Sequence, residues 1–220
     1  MPENTIANTE KTDTPTIKRQ SGWRQIAENA RVDHEVVTAE IRKYIAENPE
    51  AETWRKETVF GLAITVHRLG LSLAPSLGQA YLVPGKSGVE LVIGYRGLLA
   101  LAHRSGKVRG ADAQVVREKD GFTIELNEET YDIAWSSSIG ALSDPGRIVG
   151  AFARVFLVDA PTIVCVMRMD AILELRERKG PQWRKDPEGM VQKTVLSRAL
   201  RMVPALDRQI SEAEKDADPA

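Results

Sequence analysis

The sequence predicts an α+β protein in which helices flank a small, mostly antiparallel sheet. Three observations lead there. Apolar residues recur at helical spacing in the first third and again near the C-terminus, a hairpin is written into residues 79–93, and further strand-like runs fill the middle. The 220 residues are 42% hydrophobic and 28% charged, sufficient for one good-sized core.

The first helix starts near Asp33, where Val36, Val37, Ile41, Tyr44 and Ile45 form one stripe, and Asn48-Pro49 ends it. A second runs from about Glu52 with Val59, Leu62, Ala63, Val66 and Leu69 three and four apart, and stops at Gly70. Gln79–Val83 and Val89–Ile93 then read as strands around the turn Pro84-Gly-Lys-Ser-Gly88. Tyr95 to Ser105 is a helix closed by Gly106. Arg109–Arg117, Phe122–Leu126 and Gly150–Leu157 are strands, and Thr162–Met167 pairs with the last of them. Asp170 caps a helix through Arg178 that Lys179-Gly-Pro181 breaks, and a final helix spans Pro187 to Val203 before Pro204. Residues 1–24 read as a disordered polar arm, 25–208 as the folded domain, and 209–220 as a flexible acidic tail.

No apolar run approaches the ~20 residues that cross a bilayer, and the polar N-terminus lacks a signal-peptide pattern. A cytoplasmic location without membrane contact is expected. Cys165 is the only cysteine, inside an apolar strand, and the histidines stand apart at 34, 67 and 103, so no metal cage is expected. Gly85-Lys86-Ser87 is not a phosphate loop, because Ala80 stands where that motif requires glycine and a strand follows instead of a helix. Acids in 118–144 are not paired as in a metal-dependent nuclease, although a weakly held Mg²⁺ there is compatible with them. No catalytic constellation is found, and the chain is not expected to be an enzyme.

The net charge of −1 conceals two basic blocks. From Gly94 to Arg117 five cations (Arg96, Arg104, Lys107, Arg109, Arg117) face one acid, Asp112, and from Arg176 to Arg208 nine cations face four acids. Such blocks suit a localised anionic partner, or else are solvated faces. In the final helix Lys193, Thr194, Ser197, Arg198 and Arg201 fall within about 140° of one another, opposite Val195, Leu196, Ala199 and Leu200. Cations and hydroxyls without an acid suit a row of phosphates. Gly94-Tyr-Arg-Gly97 opens a helix whose N-terminus attracts phosphate, and Tyr95 beside Arg96 could stack on a base; alternatively Tyr95 is core and the glycines serve the turn. Trp183, next to Arg184 and Lys185, reads equally as a base-stacking residue or a hydrophobic lid.

In order along the chain, Leu69-Gly-Leu71, Leu77-Gly-Gln-Ala-Tyr-Leu-Val-Pro84, Val92-Ile-Gly-Tyr-Arg-Gly-Leu98, Arg104-Ser-Gly106, Gln114-Val-Val-Arg-Glu118, Gly150-Ala-Phe-Ala-Arg154 and Met190-Val-Gln-Lys-Thr-Val-Leu-Ser-Arg198 resemble the RecT family of single-strand annealing proteins. The resemblance covers roughly 30–206. It implies single-stranded DNA binding and annealing of a complementary strand without ATP, homo-oligomeric rings or filaments, a partner 5′–3′ exonuclease, and contact with a host single-strand-binding protein. It also implies that Tyr95-Arg96 and Lys193-Thr194 line the DNA groove, and that 25–208 carries both annealing and oligomerisation. Passive coating of single strands is the alternative. The sequence departs from the family in having Ser197-Arg198 where relatives often carry consecutive arginines, in lacking a histidine within 128–147, and in a short C-terminal region, which bears on the exonuclease contact.

Overall fold

The structure is a computed structural model that describes residues 14–85, 88–126, 131–138, 144–177 and 182–215. In chain order the elements are α1 (Thr14–Asn29), α2 (His34–Glu47), a 3-10 turn (Pro49–Thr53), α3 (Lys56–Arg68), β1 (Ala80–Gly85), β2 (Gly88–Ile93), α4 (Tyr95–Arg104), β3 (Val108–Arg117), β4 (Gly121–Leu126), β5 (Tyr131–Ser136), β6 (Ile148–Leu157), β7 (Ile163–Arg168), α5 (Met169–Glu177), α6 (Gln182–Lys185), α7 (Pro187–Leu200) and α8 (Pro204–Lys215). The α+β class is as the sequence predicts. The strands do not share one sheet, however: β1–β2 and β4–β5 are separate hairpins, and β3-β6-β7 is an antiparallel three-stranded sheet.

Local signals set most helix ends. The Asp33 carboxylate accepts from the Glu35 and Val36 amides at the start of α2. Gly70 ends α3 at φ +58, a left-handed conformation, with the Leu71 amide bonded back to Val66 O. Asp186 caps α7 through the Gly189 amide. Pro204 begins α8 rather than only ending the previous helix, since proline suits a helix's first turn. The second predicted helix starts late, because Pro49–Thr53 forms a 3-10 turn and Trp54 is extended. Asp170 is the second residue of α5, not its cap, and its carboxylate accepts from the Ala171 amide. The predicted break at 179–181 lies outside the described residues.

The two chain ends differ from the sequence expectation in extent. Helix α1 begins within the predicted arm and docks through buried Ala27 and Ala30, while Trp23 stacks on Phe60 at 5.0 Å between ring centroids. Helix α8 continues past 208 as far as Lys215 and packs on α3 and α4.

The sheet's two faces have different jobs. In register, Ala113, Ala153 and Cys165 form one cross-strand row, and Val115, Ala151 and Met167 the next. These small apolar side chains let α7 lie directly on the sheet, so that Val191, Val195 and Ala199 join the same core. Burial pushes the Cys165 thiol up, with the nearby Arg198 charge opposing, as befits a core cysteine. On the opposite face Phe152 is fully buried beneath Phe122 of β4 and Trp135 of β5, with ring centroids 5.7 Å away in both cases. Beside it the Arg154 guanidinium makes a two-pronged bond to Asp112, its direct cross-strand neighbour.

Strand β5 was not anticipated, although Tyr131, Ile133 and Trp135 alternate as a strand should. What ties its hairpin to the sheet is Asp120. Burial pushes this carboxyl up, but bonds from the Ser138 and Arg117 amides, Ser138 Oγ and Trp135 Nε1 outweigh it and hold the carboxyl at about 2. A depressed folded value stabilises the ionised form. The contribution is therefore complete above the ordinary 3.8 and is lost as pH falls through about 2. Asp120→Ala should cost about 1–3 kcal/mol, since it strands donors that the carboxylate now satisfies. In an acid titration followed by near-ultraviolet circular dichroism, a variant that loses its aromatic signal at the same pH as the parent would sink this assignment.

Candidate nucleic-acid interface

Residues 94–117 and 187–201, far apart in sequence, are brought together by the fold: α4 packs on α7, and both pack on β3. Among the described residues no carboxylate pairs with Lys193, Arg198 or Arg201. Arg198 and Arg201 are exposed, whereas Lys193, Thr194 and Ser197 are half-buried, so this side of the helix is flanked by neighbouring structure instead of standing free in water. Thr194 Oγ1 donates to Met190 O at 2.7 Å, which occupies its proton and leaves the oxygen as an acceptor. Thr194 is thus a weaker candidate for a phosphate donor than the sequence suggested.

On α4 the glycines have a packing role. The Gly94 amide donates to Gln79 O at 2.8 Å, and a Cβ on Gly97 would stand 2.3 Å from that same oxygen. Hairpin β1–β2 therefore abuts the start of α4 at backbone contact. The hairpin is held from below by the buried Tyr44 hydroxyl, which donates to Leu82 O at 2.9 Å and accepts from Leu82 N at 3.3 Å. Lys86 and Ser87 lie outside the described residues, but Gly85 pairs with Gly88 and a strand follows. This is not the strand-to-helix setting of a phosphate loop. Helix α4 carries no side-chain cap and no acid in its first turn, so the positive end of its dipole is uncompensated there. Tyr95 is half-buried and Arg96 exposed, with Arg96 Nε donating to Tyr95 Oη at 3.2 Å.

The remaining predicted contacts divide. Lys107 and Arg109 are exposed beside α4, and Arg109 Nε also holds Leu157 O at 3.0 Å. Arg104 extends to the end of α3, where Nη2 donates to Leu69 O at 2.5 Å; a Cβ on Gly70 would collide with it. Its charge is outside, yet its hydrogen bonds serve the helix terminus. Arg117 is turned inward: it bridges Glu188 at 2.5 Å and Gly146 O at 3.2 Å, tying β3 to the start of α7. Trp183 is 2% exposed and belongs to the core, which supports the lid reading over base stacking. The sequence could not separate these cases, because Arg117 meets its partner 71 positions away. Tyr81, not anticipated at all, stands against Gly78 and Gly94 beside Arg96.

Among the described residues no three His, Cys, Asp or Glu side chains cluster to hold a metal, and no helix is long and apolar enough to cross a membrane. In the acidic stretch Glu118 pairs with Arg147 and Asp144 with Lys119, while 127–130 and 139–143 lie outside the described residues. Fold and surface together describe an α+β protein in which two basic segments distant in sequence lie on helices that pack against each other. The model of the RecT family matches residues 35–219, and the chain is 30% identical to Protein RecT of Escherichia coli (strain K12) over 204 residues, 84% of this chain and 72% of that protein. The chain belongs to the RecT family, and with it to the DNA-binding, strand-annealing proteins of recombination.

Proposed function

We propose that the α4–α7 surface holds single-stranded DNA by its phosphates and presents the bases to a complementary strand, annealing the two without ATP or any other cofactor. One observation carries this reading: the basic segments 94–117 and 187–201 meet on adjoining helices, and Arg96, Lys193, Arg198 and Arg201 have no acidic partner among the described residues. Annealing breaks no bond. It requires that two polyanions approach and that their bases stay accessible. Cations that neutralise phosphates remove the repulsion, and Watson–Crick pairing judges the match. Repetition of this modest site along a ring or filament of copies supplies affinity through multivalency. A 5′–3′ exonuclease would supply the single strand, and a host single-strand-binding protein would compete for it.

The test is annealing of two complementary labelled oligonucleotides, without ATP, across a salt series. With about six phosphates contacted per protomer, at roughly −0.7 each, log K should fall against log salt with a slope of about −4. Acceleration of pairing that fades with salt supports the reading. Binding without acceleration would make the protein a passive coat, and a salt-insensitive interaction would overturn the phosphate mechanism.

A further inference from the structure

We propose that Tyr81 and Tyr95 complete a phosphate subsite around Arg96, with Tyr95 aiming the guanidinium and the Tyr81 hydroxyl donating to the same phosphate. This rests on the reading of α4 as part of the DNA-contacting surface. Tyr95 Oη accepts from Arg96 Nε at 3.2 Å, and the guanidinium carbon lies 5.9 Å from the Tyr95 ring centroid. With Nε occupied, both terminal amines remain, which is the fork arginine offers to two phosphate oxygens. A long side chain at an exposed helix start otherwise samples many rotamers, so the tyrosine reduces the ordering that DNA binding must impose.

Tyr81 arrives from β1. A Cβ on Gly78 would lie 2.9 Å from Tyr81 Oη and 3.6 Å from Arg96 Cδ, so hydroxyl and arginine stem close over the same backbone atom. A Cβ on Gly94 would lie 2.9 Å from ring atom Cε2. Two bare glycines thus let the ring settle on the backbone and bring its hydroxyl beside Arg96. Tyr81 is half-buried, and among the described residues its hydroxyl has no hydrogen-bond partner. A tyrosine kept only for packing does not need that oxygen.

Phenylalanine variants keep the rings and remove the oxygens. The full-length chain would be titrated onto a fluorescent oligothymidylate, which cannot self-pair, with anisotropy as the readout. The set is wild type, Tyr81→Phe, Tyr95→Phe, Arg96→Ala, and each tyrosine variant combined with Arg96→Ala. Each phenylalanine variant should bind about fivefold more weakly, the worth of one net hydrogen bond, at an unchanged melting temperature. Each double variant should bind no more weakly than Arg96→Ala alone, because the oxygens act with the guanidinium. If Arg96→Ala weakens binding while the phenylalanine variants match wild type, the tyrosines are packing residues; if the losses add, the hydroxyls act apart from the guanidinium; either outcome overturns this proposal. If Arg96→Ala itself binds like wild type, the placement of DNA on α4 fails first.

Discussion

Lys193→Ala combined with Arg198→Ala should abolish strand annealing while leaving the fold intact. Neither side chain is part of the core that α7 forms with the sheet; that role falls to Val191, Val195, Ala199 and Leu200. Neither forms a salt bridge among the described residues, so no buried charge is orphaned by removing them. Alanine is the best helix former, and the helix itself should tolerate both changes. What is lost is two of the charges that offset phosphate repulsion. The salt slope for single-strand binding should become shallower by about 1.4, two contacts at roughly 0.7 each. Far-ultraviolet circular dichroism and the melting temperature check the fold, and the two-oligonucleotide assay checks function. Wild-type annealing with a wild-type salt slope would remove α7 from the DNA-binding surface.

Trp183→Ala should act in the opposite way, through stability. Trp183 is 2% exposed and packs into the core from α6, immediately before α7. Truncating a buried tryptophan costs about 3–5 kcal/mol, the transfer loss plus the cavity it leaves. For a chain of this size that corresponds to a melting temperature lower by roughly 6–20 °C. Trp183→Phe should recover most of this, because the indole Nε1 is buried without a hydrogen-bond partner among the described residues, and phenylalanine leaves no such donor unsatisfied. Scanning calorimetry on both variants decides it. An alanine variant that melts like wild type yet binds DNA more weakly would restore Trp183 as a stacking residue.

These two variants mark the boundary between what was legible in the chain and what was not. Helix limits at Asp33, Gly70 and Gly106 were readable because caps and breakers act on their own backbone within a few residues, whereas the final helix, expected to run to Val203, ends at Leu200 and Pro204 opens another. The β6–β7 pairing was readable because a short turn joins two apolar runs. The two sides of α7 were readable because helical spacing alone sorts Lys193, Ser197, Arg198 and Arg201 from Val191, Val195 and Ala199. Strand β5 was hidden by the acids around it, which mask the alternation of Tyr131, Ile133 and Trp135.

The composition of the basic surface was a tertiary matter. Arg96, Arg104 and Arg117 look equivalent in sequence, but Arg96 bonds its neighbour Tyr95, Arg104 holds Leu69 O and Arg117 bridges Glu188. Trp183 and Tyr81 differ for the same reason: burial and neighbouring backbone, not residue type, decide what a ring can reach. Class, helix faces and cation inventory follow from local periodicity and charge, which each short segment carries within itself. Which cations stay free for an anion depends on carbonyls and carboxylates contributed from tens of residues away, and only the folded chain brings those within hydrogen-bonding distance.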